Sequence, residues 1–286
     1  MRFQFVAAEK ATYPVKTLCQ TLEVSRSGFY AWQRRKPSQR ATANRELQEQ
    51  IGKIHGEVKQ RYGSPRMHRE LVGRGYQVGR HRVARLMRAA NVRARRRRSF
   101  VRTTMSRHGF AVAANLVNRK FAVKRPNRIW TTDITYVPTR EGWLYLAVVL
   151  DLYSRFIVGW ATSSRIDSEL TLAALDNAVR RRKPRPGLIH HSDRGSQYAA
   201  TSYRRALTRH GMRCSMSRKG DCWDNAPTES LFGSLKVELL NEGAFASREA
   251  ANASLFEYIE MFYNRQRRHS ALDYESPATY EMKATG

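Results

Sequence analysis

Three acidic residues lie in stretches whose apolar pattern predicts burial, where a charged carboxylate needs a partner. Asp133 lies inside an apolar stretch with the pattern of a strand, Asp193 follows a second short apolar run, and Glu229 lies near the start of a helical stretch. A buried carboxylate is unfavourable unless it is paired or bound to a metal ion. We therefore predict that Asp133, Asp193 and Glu229 are the catalytic residues and the ligands of one metal centre.

The chemistry that such a centre supports is phosphoryl transfer. Mg²⁺ and Mn²⁺ prefer oxygen ligands, and Mg²⁺ keeps several waters, so a few carboxylates and a substrate phosphate suffice to bind it. Two ions about 4 Å apart would activate an attacking oxygen and stabilise the leaving oxygen at phosphorus. The sequence thus predicts two Mg²⁺ or Mn²⁺ ions, no other cofactor, and no covalent intermediate between enzyme and substrate.

Helix geometry tests the choice of the third acid. At about 100° per residue, Lys236 falls on almost the same helix face as Glu229, and Asn225 lies about 40° from it. Glu238 points the opposite way, so Glu229 is the better candidate ligand. Lys236 and Asn225 are predicted to contact the substrate, for which the charge of the chain favours nucleic acid.

Several other polar residues have simpler explanations. Asp151 follows a strand and suits a turn or an ion pair with a neighbouring arginine, and Asp221 and Asp224 suit turn or cap roles in a loop. His190 and His191 are predicted to pack at a strand end rather than to bind zinc.

The charge of the chain points to a polyanionic partner. The net charge is +28, and residues 1–120 hold 28 Lys and Arg against 6 Asp and Glu, whereas residues 121–286 hold 24 against 18. A basic front of +22 joined to a core of +6 indicates nucleic-acid binding, although an anionic membrane or a merely soluble basic surface fits the total charge alone.

The chain has no apolar run long enough for a membrane span and no apolar signal-peptide core at its start. Its three cysteines are odd in number and form no C-x-x-C pair, which predicts reduced, structural thiols. We expect a cytoplasmic protein with no membrane partner.

Residues 1–44 are predicted to form a first helical region. Apolar residues from Val15 to Leu22 follow helical spacing, and Ser25 is placed to cap a second helix that carries Phe29 and Trp32. A helix-turn-helix is the functional interpretation, with Arg26 at the start of the helix that reads DNA. An ordinary helical hairpin fits this stretch nearly as well.

Residues 45–92 are predicted to form a second, similar unit. Helical spacing places Ile51, Met67 and Leu86 on three successive helices, with a break at Gly75, and Arg80 and Arg82 lie on the last helix. A basic helix after a glycine turn favours DNA binding, with a solvated arginine face as the alternative. Which of the two units reads bases cannot be derived from the sequence.

Residues 93–120 are predicted to be an arginine-rich linker that lies along the phosphate backbone. Its first part, residues 93–107, includes Arg95, Arg96, Arg97 and Arg98 and has almost no apolar anchor. Like charges so close together repel one another until counter-ions or DNA neutralise them.

Residues 121–286 show the pattern of a mixed α/β core. Strands are predicted at residues 129–137, 143–150, 156–160, 188–190 and 212–216, and helices at 168–182, 203–209, 227–240 and 248–263. Short connections make the first three strands an antiparallel meander. This order predicts a ribonuclease-H-like mixed sheet flanked by helices, preceded by the all-α helix-turn-helix region.

Linked motifs in this core resemble the DDE transposase and retroviral integrase superfamily. Thirty-five residues separate Asp193 from Glu229, as in the D,D(35)E motif, and the flanking text is W-T-T-D-I-T-Y, H-S-D-R-G-S-Q-Y and D-N-A-P-T-E-S-L-F-G-S-L-K. Together with N-R-Q-R-R-H-S-A-L and S-P-A-T-Y near the C-terminus, these motifs are similar to insertion-sequence transposases of the IS-three family, the OrfB-type product. The resemblance covers nearly the whole chain.

The resemblance implies a transposase that cuts double-stranded DNA at the inverted-repeat ends of its own element and joins them to target DNA. It implies Lys236 as a DNA contact, a homo-oligomer, and fusion to or partnership with the product of the upstream reading frame. The alternatives are a catalytically inactive DNA-binding regulator of transposition and a structure-selective nuclease of the same fold.

Overall fold

The first helical unit of the chain forms a small core of its own. In the computed structural model, which describes residues 1–95, 112–218, 222–240 and 243–285, helices α1 (Arg2–Glu9), α2 (Val15–Thr21) and α3 (Arg26–Arg34) bury Val6, Leu18, Cys19 and Phe29 together. The side chain of Ser25 accepts a hydrogen bond from the Gly28 amide, as its predicted capping role requires. Helix α1 was not expected from the sequence.

The second helical unit consists of α4 (Gln39–Glu57), α5 (Ser64–Gly73) and α6 (Arg80–Ala89). The predicted core positions Ile51, Met67 and Leu86 are all buried. Helix α4 begins six residues before the predicted boundary at residue 45, because Ser38 caps it through a hydrogen bond to the Ala41 amide.

A five-stranded mixed sheet forms the centre of the remaining chain and confirms the predicted α/β fold class. The strand order is β3-β2-β1-β4-β5. Strands β1 to β3 are antiparallel, as predicted; β4 pairs with β1 in parallel, and β5 pairs with β4 in parallel. The strands are β1 (Ile129–Thr139), β2 (Gly142–Asp151), β3 (Ile157–Ser163), β4 (Ile189–Ser192) and β5 (Arg213–Met216).

Helices cover both faces of the sheet. One face packs on α7 (Ser168–Arg182), α8 (Ser196–Ala199) and α9 (Thr201–Arg209), and the other on α10 (Ala226–Glu238) and α11 (Arg248–Phe256). Helix α11 continues as a π-helical segment, Glu257–Tyr263, and α12 (Pro277–Thr285) ends the described chain. Among the described residues, no helix has the length and apolar character needed to cross a membrane.

The second helical unit and the α10 face of the sheet share one hydrophobic core. Ile51, Met67 and Leu86 belong to the same buried cluster as Leu235 of α10 and Leu255 of α11. The end of the predicted linker also packs on the sheet domain, because Val117 is buried and the Leu116 amide donates to Ser215 Oγ at 2.9 Å. Residues on both sides of the predicted linker, and its last residues, therefore share contacts with the sheet domain.

Gly159 allows β3 to lie directly against α7, and this contact gives a prediction about stability. A Cβ atom at residue 159 would lie 2.4 Å from the Ala174 carbonyl oxygen and 2.5 Å from the Ala178 amide nitrogen. Because helix backbone cannot give way as a side chain can, we expect Gly159→Ala to lower the free energy of unfolding by about 3 kcal/mol in urea titrations.

Gly52 provides the matched control for that substitution. A Cβ there meets no atom within 4 Å, and the residue lies inside helix α4. Gly52→Ala should therefore raise the free energy of unfolding by about 0.5–1 kcal/mol. Similar effects of the two substitutions would contradict the close packing of β3 on α7.

Candidate active site

The register of β1 and β4 brings Asp133 and Asp193 together. The strands run parallel, with Thr131 opposite His191. Continued by two residues, the same register sets Asp133 opposite Asp193, which follows the last residue of β4. Residues two apart on a strand share a face, so Asp133 lies on the same face of the sheet as Thr131.

Backbone amides orient one oxygen of each of these two carboxylates. Asp133 Oδ1 accepts from the Ile134 amide at 2.8 Å, and Asp193 Oδ1 accepts from the Gly195 amide at 2.9 Å. Arg194 Nε donates to the Ser217 carbonyl at 2.7 Å, which fixes the loop after β4 to the end of β5. The two acids are thus held by strand pairing and by a short turn.

The first turn of α10 is bonded to β1, and this bond places the third acid. Thr228 Oγ1 donates to Thr131 Oγ1 at 2.7 Å, and Asn225 Nδ2 donates to the Thr132 carbonyl at 3.4 Å. Glu229 is the next residue after Thr228 on the helix. The structure therefore brings Glu229 to the edge of the sheet where Asp133 and Asp193 lie.

The charges of the three acids interact. Burial raises the pKa of Asp133 well above its usual range, and the nearby carboxylates of Asp193 and Glu229 raise it further. The Ile134 amide and the Lys236 ammonium act in the opposite direction. Repulsion among partly buried carboxylates is the condition that a divalent cation relieves.

The donors at this site fit a hard cation, although they do not form a closed cage. Within the described ranges, no three His, Cys, Asp or Glu side chains are gathered tightly enough to hold a metal ion between them. Mg²⁺ does not need such a cage, because it is commonly bound by one or two carboxylates, waters and substrate phosphate. Asp133, Asp193 and Glu229 supply only oxygen donors, which suits Mg²⁺ or Mn²⁺.

The loop before α10 is fixed by Asp224, a residue whose role the sequence did not reveal. Its buried carboxylate accepts hydrogen bonds from Arg218, Arg119 and Asn115. The hydrogen bonds from Arg218 hold the pKa of Asp224 well below its usual range. A carboxylate engaged in this way is a structural anchor, and its partners come from other segments rather than from a turn or a helix cap. Asp221, the other alternative, lies outside the described residues.

His191 ties β4 to the same loop. Its Nε2 lies 3.1 Å from the Asp224 carbonyl oxygen and its Nδ1 lies 2.8 Å from Ser215 Oγ, and burial lowers its pKa to about 4. His190 is buried 3.3 Å from Tyr203 Oη on the other face of the sheet. Both contacts agree with packing at a strand end.

The burial of His190 predicts a stability that depends on pH. Burial, followed by the neighbouring His191, lowers the pKa of His190 to about 3. Between about pH 6.5 and 3 the unfolded chain binds a proton at this residue and the folded chain does not, so acidification favours unfolding. Relative to His190→Phe, the wild type should lose about 2 kcal/mol of unfolding free energy between pH 6.5 and 5, measured by urea titration. Parallel pH profiles for the two proteins would contradict a neutral His190.

The opposite face of α10 carries a buried ionic cluster. Glu238 accepts from Arg267 Nη2 at 2.7 Å, from Arg66 Nη1 at 3.0 Å and from Tyr258 Oη at 2.9 Å. The prediction that Glu238 points away from Glu229 agrees with these contacts. The cluster joins α10 to the second helical unit and to the C-terminal segment.

Asp151 also has a structural role. Its side chain is fully buried and accepts from the Asn127 amide at 2.7 Å and from the Tyr153 amide at 2.9 Å. Burial raises its pKa to about 6. It therefore fixes the turn after β2 and the segment before β1, away from the three acids.

The predicted DNA contacts fall into different environments. Arg26 and Arg80 are exposed at the first residues of α3 and α6. Arg82 instead donates to Asn44 Oδ1 at 3.0 Å and Arg95 to the Glu238 carbonyl at 3.4 Å. Asn225 is buried, which favours a role in holding α10 over a contact with DNA. Arg96, Arg97 and Arg98 lie outside the described residues.

Three segments of the chain match known domain families. Residues 123–222 and 229–284 each match a family described as integrase core domain, and residues 42–100 match the HTH-like domain. The first helical unit lies outside these matches. The HTH-like match covers the second helical unit and begins three residues after the start of α4.

Similar proteins cover nearly the whole chain. The chain is 47% identical, over 93% of its length and 98% of the relative's, to the insertion element IS600 uncharacterized 31 kDa protein of Shigella sonnei. It is 42% identical, over 99% of both lengths, to transposase InsF for insertion sequence IS3A of Escherichia coli strain K12. Among solved structures, it is similar to a chain of the simian T-cell lymphotropic virus intasome, with 14% identity, a TM-score of 0.47, and coverage of 81% of this chain and 74% of that one.

Proposed function

The chain belongs to the family of IS3 insertion-sequence transposases, and from that premise we propose that Asp133, Asp193 and Glu229 carry out its DNA cleavage and strand transfer. The observation that supports these residues is their convergence at one edge of the sheet. Burial is the main cause of the raised pKa of Asp133, and the charges of Asp193 and Glu229 add to it. These acids would hold two divalent cations.

The proposed reaction is an in-line displacement at phosphorus, performed twice. In cleavage, a water oxygen bonds to phosphorus and the 3′-oxygen leaves with a proton, which exposes a 3′-hydroxyl at the end of the element. In strand transfer, that hydroxyl attacks a phosphodiester of target DNA and releases another 3′-hydroxyl. Bound Mg²⁺ or Mn²⁺ would supply the Lewis acidity for the attacking and leaving oxygens.

The residues around the acids orient the site and the DNA. Thr228 holds α10 on β1, so that Glu229 stays beside the two strand acids. Lys236, two turns further along the helix, is proposed to contact a phosphate near the reacting end. The cation at residue 236 also offsets the acids, since it lowers the pKa of Asp133.

End recognition is proposed for the two helical units. Arg26 and Arg80 are exposed at the starts of α3 and α6, which is where a helix-turn-helix protein contacts base edges or phosphates. Cleavage and joining of two element ends requires two active sites close together, so a homo-oligomer is proposed. A partnership with the upstream reading-frame product is proposed on the resemblance alone.

Strand rejoining on a preformed branched DNA that mimics the integration product tests the function with little demand on end recognition. We expect the full chain to rejoin the strands in Mn²⁺ and to lose this activity when EDTA removes the metal. DNA binding, followed by fluorescence anisotropy in EDTA, serves as the control for folded protein.

Two results would overturn the proposal. Rejoining that persists in EDTA would exclude a metal-dependent site. Binding without rejoining, under conditions in which the InsF transposase is active, would favour the non-catalytic regulator.

A further inference from the structure

A depression lined by basic residues lies at the amino ends of β1 and β4, opposite the strand ends that carry the acids. It has a volume of 620 Å³ and lies between the segment before β1 and the loop that joins α7 to β4. Five cationic side chains line it, and none of its lining residues is Asp or Glu: Lys124, Arg125, Arg128, Lys183 and Arg185.

The five cations are accessible to an anion, unlike those arginines of the sheet domain that are paired with glutamates. All five are exposed. Within the described ranges, none of their side chains forms a hydrogen bond or an ion pair, whereas Arg181, Arg182 and Arg267 are paired with glutamates. Since residues 121–286 carry a net charge of only +6, this cluster holds much of the excess positive charge of the sheet domain. Unpaired cations on a concave surface attract an anion most strongly.

The walls of the depression are fixed. The Asn127 amide is bonded to the buried Asp151, the Ile189 amide donates to the Arg128 carbonyl at 2.9 Å, and the Gly187 amide donates to the Gly211 carbonyl at 2.8 Å. Pro126, Pro184 and Pro186 line the same two segments and restrict the backbone further. The site is therefore built before any ligand arrives, so binding orders little backbone.

Its position separates the depression from the active site. Arg128 and Leu188 lie at the amino ends of β1 and β4, five residues before Asp133 and Asp193 respectively. At about 3.3 Å per residue this is roughly 16 Å along the strands. A phosphate in the depression therefore cannot be the one that reacts at the acids.

We propose that this depression is a second binding site for the phosphate backbone of duplex DNA, which holds DNA outside the reacting phosphodiester. Five exposed cations on two facing segments suit a backbone that passes along them better than an enclosed small anion. The inference rests on the proposed function only in taking DNA as the polyanion, and its test requires no catalysis.

The salt dependence of DNA binding measures the proposed contacts. Each phosphate contact adds about 0.9 to the slope of log K against log salt concentration. The test variant is Arg125→Gln with Lys183→Asn and Arg185→Gln, in which asparagine suits the left-handed backbone at residue 183, where φ is 42°. Binding of a 30-base-pair duplex is followed by fluorescence anisotropy in EDTA.

The matched control removes three exposed and scattered charges through Arg140→Gln, Arg165→Gln and Arg180→Gln. We expect the slope of the test variant to be less steep than that of the wild type by about 2.7, and its DNA binding at 0.1 M salt to be at least about tenfold weaker. The control variant should change little in either measurement. Arg128→Gln alone should lower the slope by about 0.9. Equal losses in test and control variants, or an unchanged slope in the test variant, would overturn the proposal. Thermal unfolding of each variant checks that the fold is intact.

The same proteins separate this inference from the proposed function. The test variant retains Asp133, Asp193, Glu229 and Lys236, so it should rejoin a short branched substrate at the wild-type rate once that substrate is saturating. Failure of rejoining in the wild type would count against the proposed catalysis. It would not affect the salt-slope test, which measures DNA binding alone.

Discussion

Asp193→Asn and Glu229→Gln are expected to slow strand rejoining by at least about 10³-fold, which corresponds to about 4 kcal/mol of lost transition-state stabilisation. Each substitution keeps the shape of the side chain and removes the charge that would hold a cation beside Asp133. Single-turnover rates on the branched substrate, at saturating enzyme with Mn²⁺, measure the effect. Anisotropy in EDTA should show DNA binding at least as tight as that of the wild type, because a negative charge has been removed.

The free energy of unfolding of the same variants distinguishes a catalytic role of the acids from a structural role. Since the acids repel one another without metal, each amide substitution should raise the free energy of unfolding in EDTA and lower the pKa of Asp133. Glu249→Gln, an exposed residue on α11, is the matched control and should alter neither rate nor stability. Full rejoining activity in either acid variant would remove that residue from the catalytic assignment. An inactive variant that is also less stable than the wild type in EDTA would point to a structural role instead.

Arg267→Met is expected to lower the free energy of unfolding by about 3–5 kcal/mol, because it leaves Glu238 buried without its main partner. Burial acts to raise the pKa of Glu238, but Arg267 and Arg66 outweigh it and hold the pKa below its usual value. The stability that this lowered pKa supplies is present above pH 4.5 and is lost as the pH falls through the lowered value. Urea unfolding at pH 7 measures the substitution.

A double-mutant cycle separates the ion pair from the loss of the arginine stem. Glu238→Gln combined with Arg267→Met should recover part of the loss, since no buried charge is then left unpaired. Arg69→Met is the control for an exposed pair: Arg69 lies 3.2 Å from Asp273, the two side chains are 45% and 84% exposed, and the substitution should cost less than about 1 kcal/mol. Equal costs for Arg267→Met and Arg69→Met would contradict a buried, coupled cluster.

The elements with clear periodicity were predictable from the sequence. Helix α7 begins and ends at the predicted residues 168 and 182, since Asp167 caps it and a left-handed Lys183 ends it. Helix α1 was missed because it has one buried residue, Val6, and leaves Phe5 53% exposed. Helix α8 is four residues long and too short for a periodic pattern.

The three candidate acids could be selected from the sequence, but their arrangement could not. Spacing and helix geometry selected Glu229 over Glu238, and the contacts of Glu238 with Arg267 and Arg66 agree with that choice. The partners of Asp224 and Glu238 come from segments as far as 177 residues away in the chain. Such contacts leave no local pattern in the sequence. The residues that anchor α10, and the core that the second helical unit shares with the sheet domain, could therefore not be predicted from it.

The shared core of the second helical unit and the sheet domain sets which part of the enzyme can diverge independently. Helices α1 to α3 have a separate core, so a related element could exchange them as a unit without disturbing the packing of the sheet domain. Helices α4 to α6 are constrained, because Ile51 and Met67 belong to the same buried core as residues of α10 and Arg66 is bonded to Glu238. Changes in those helices must be matched by changes in α10 and the C-terminal segment. Replacement of residues 1–36 by those of a relative should therefore give a folded protein, whereas replacement of residues 1–93 should not.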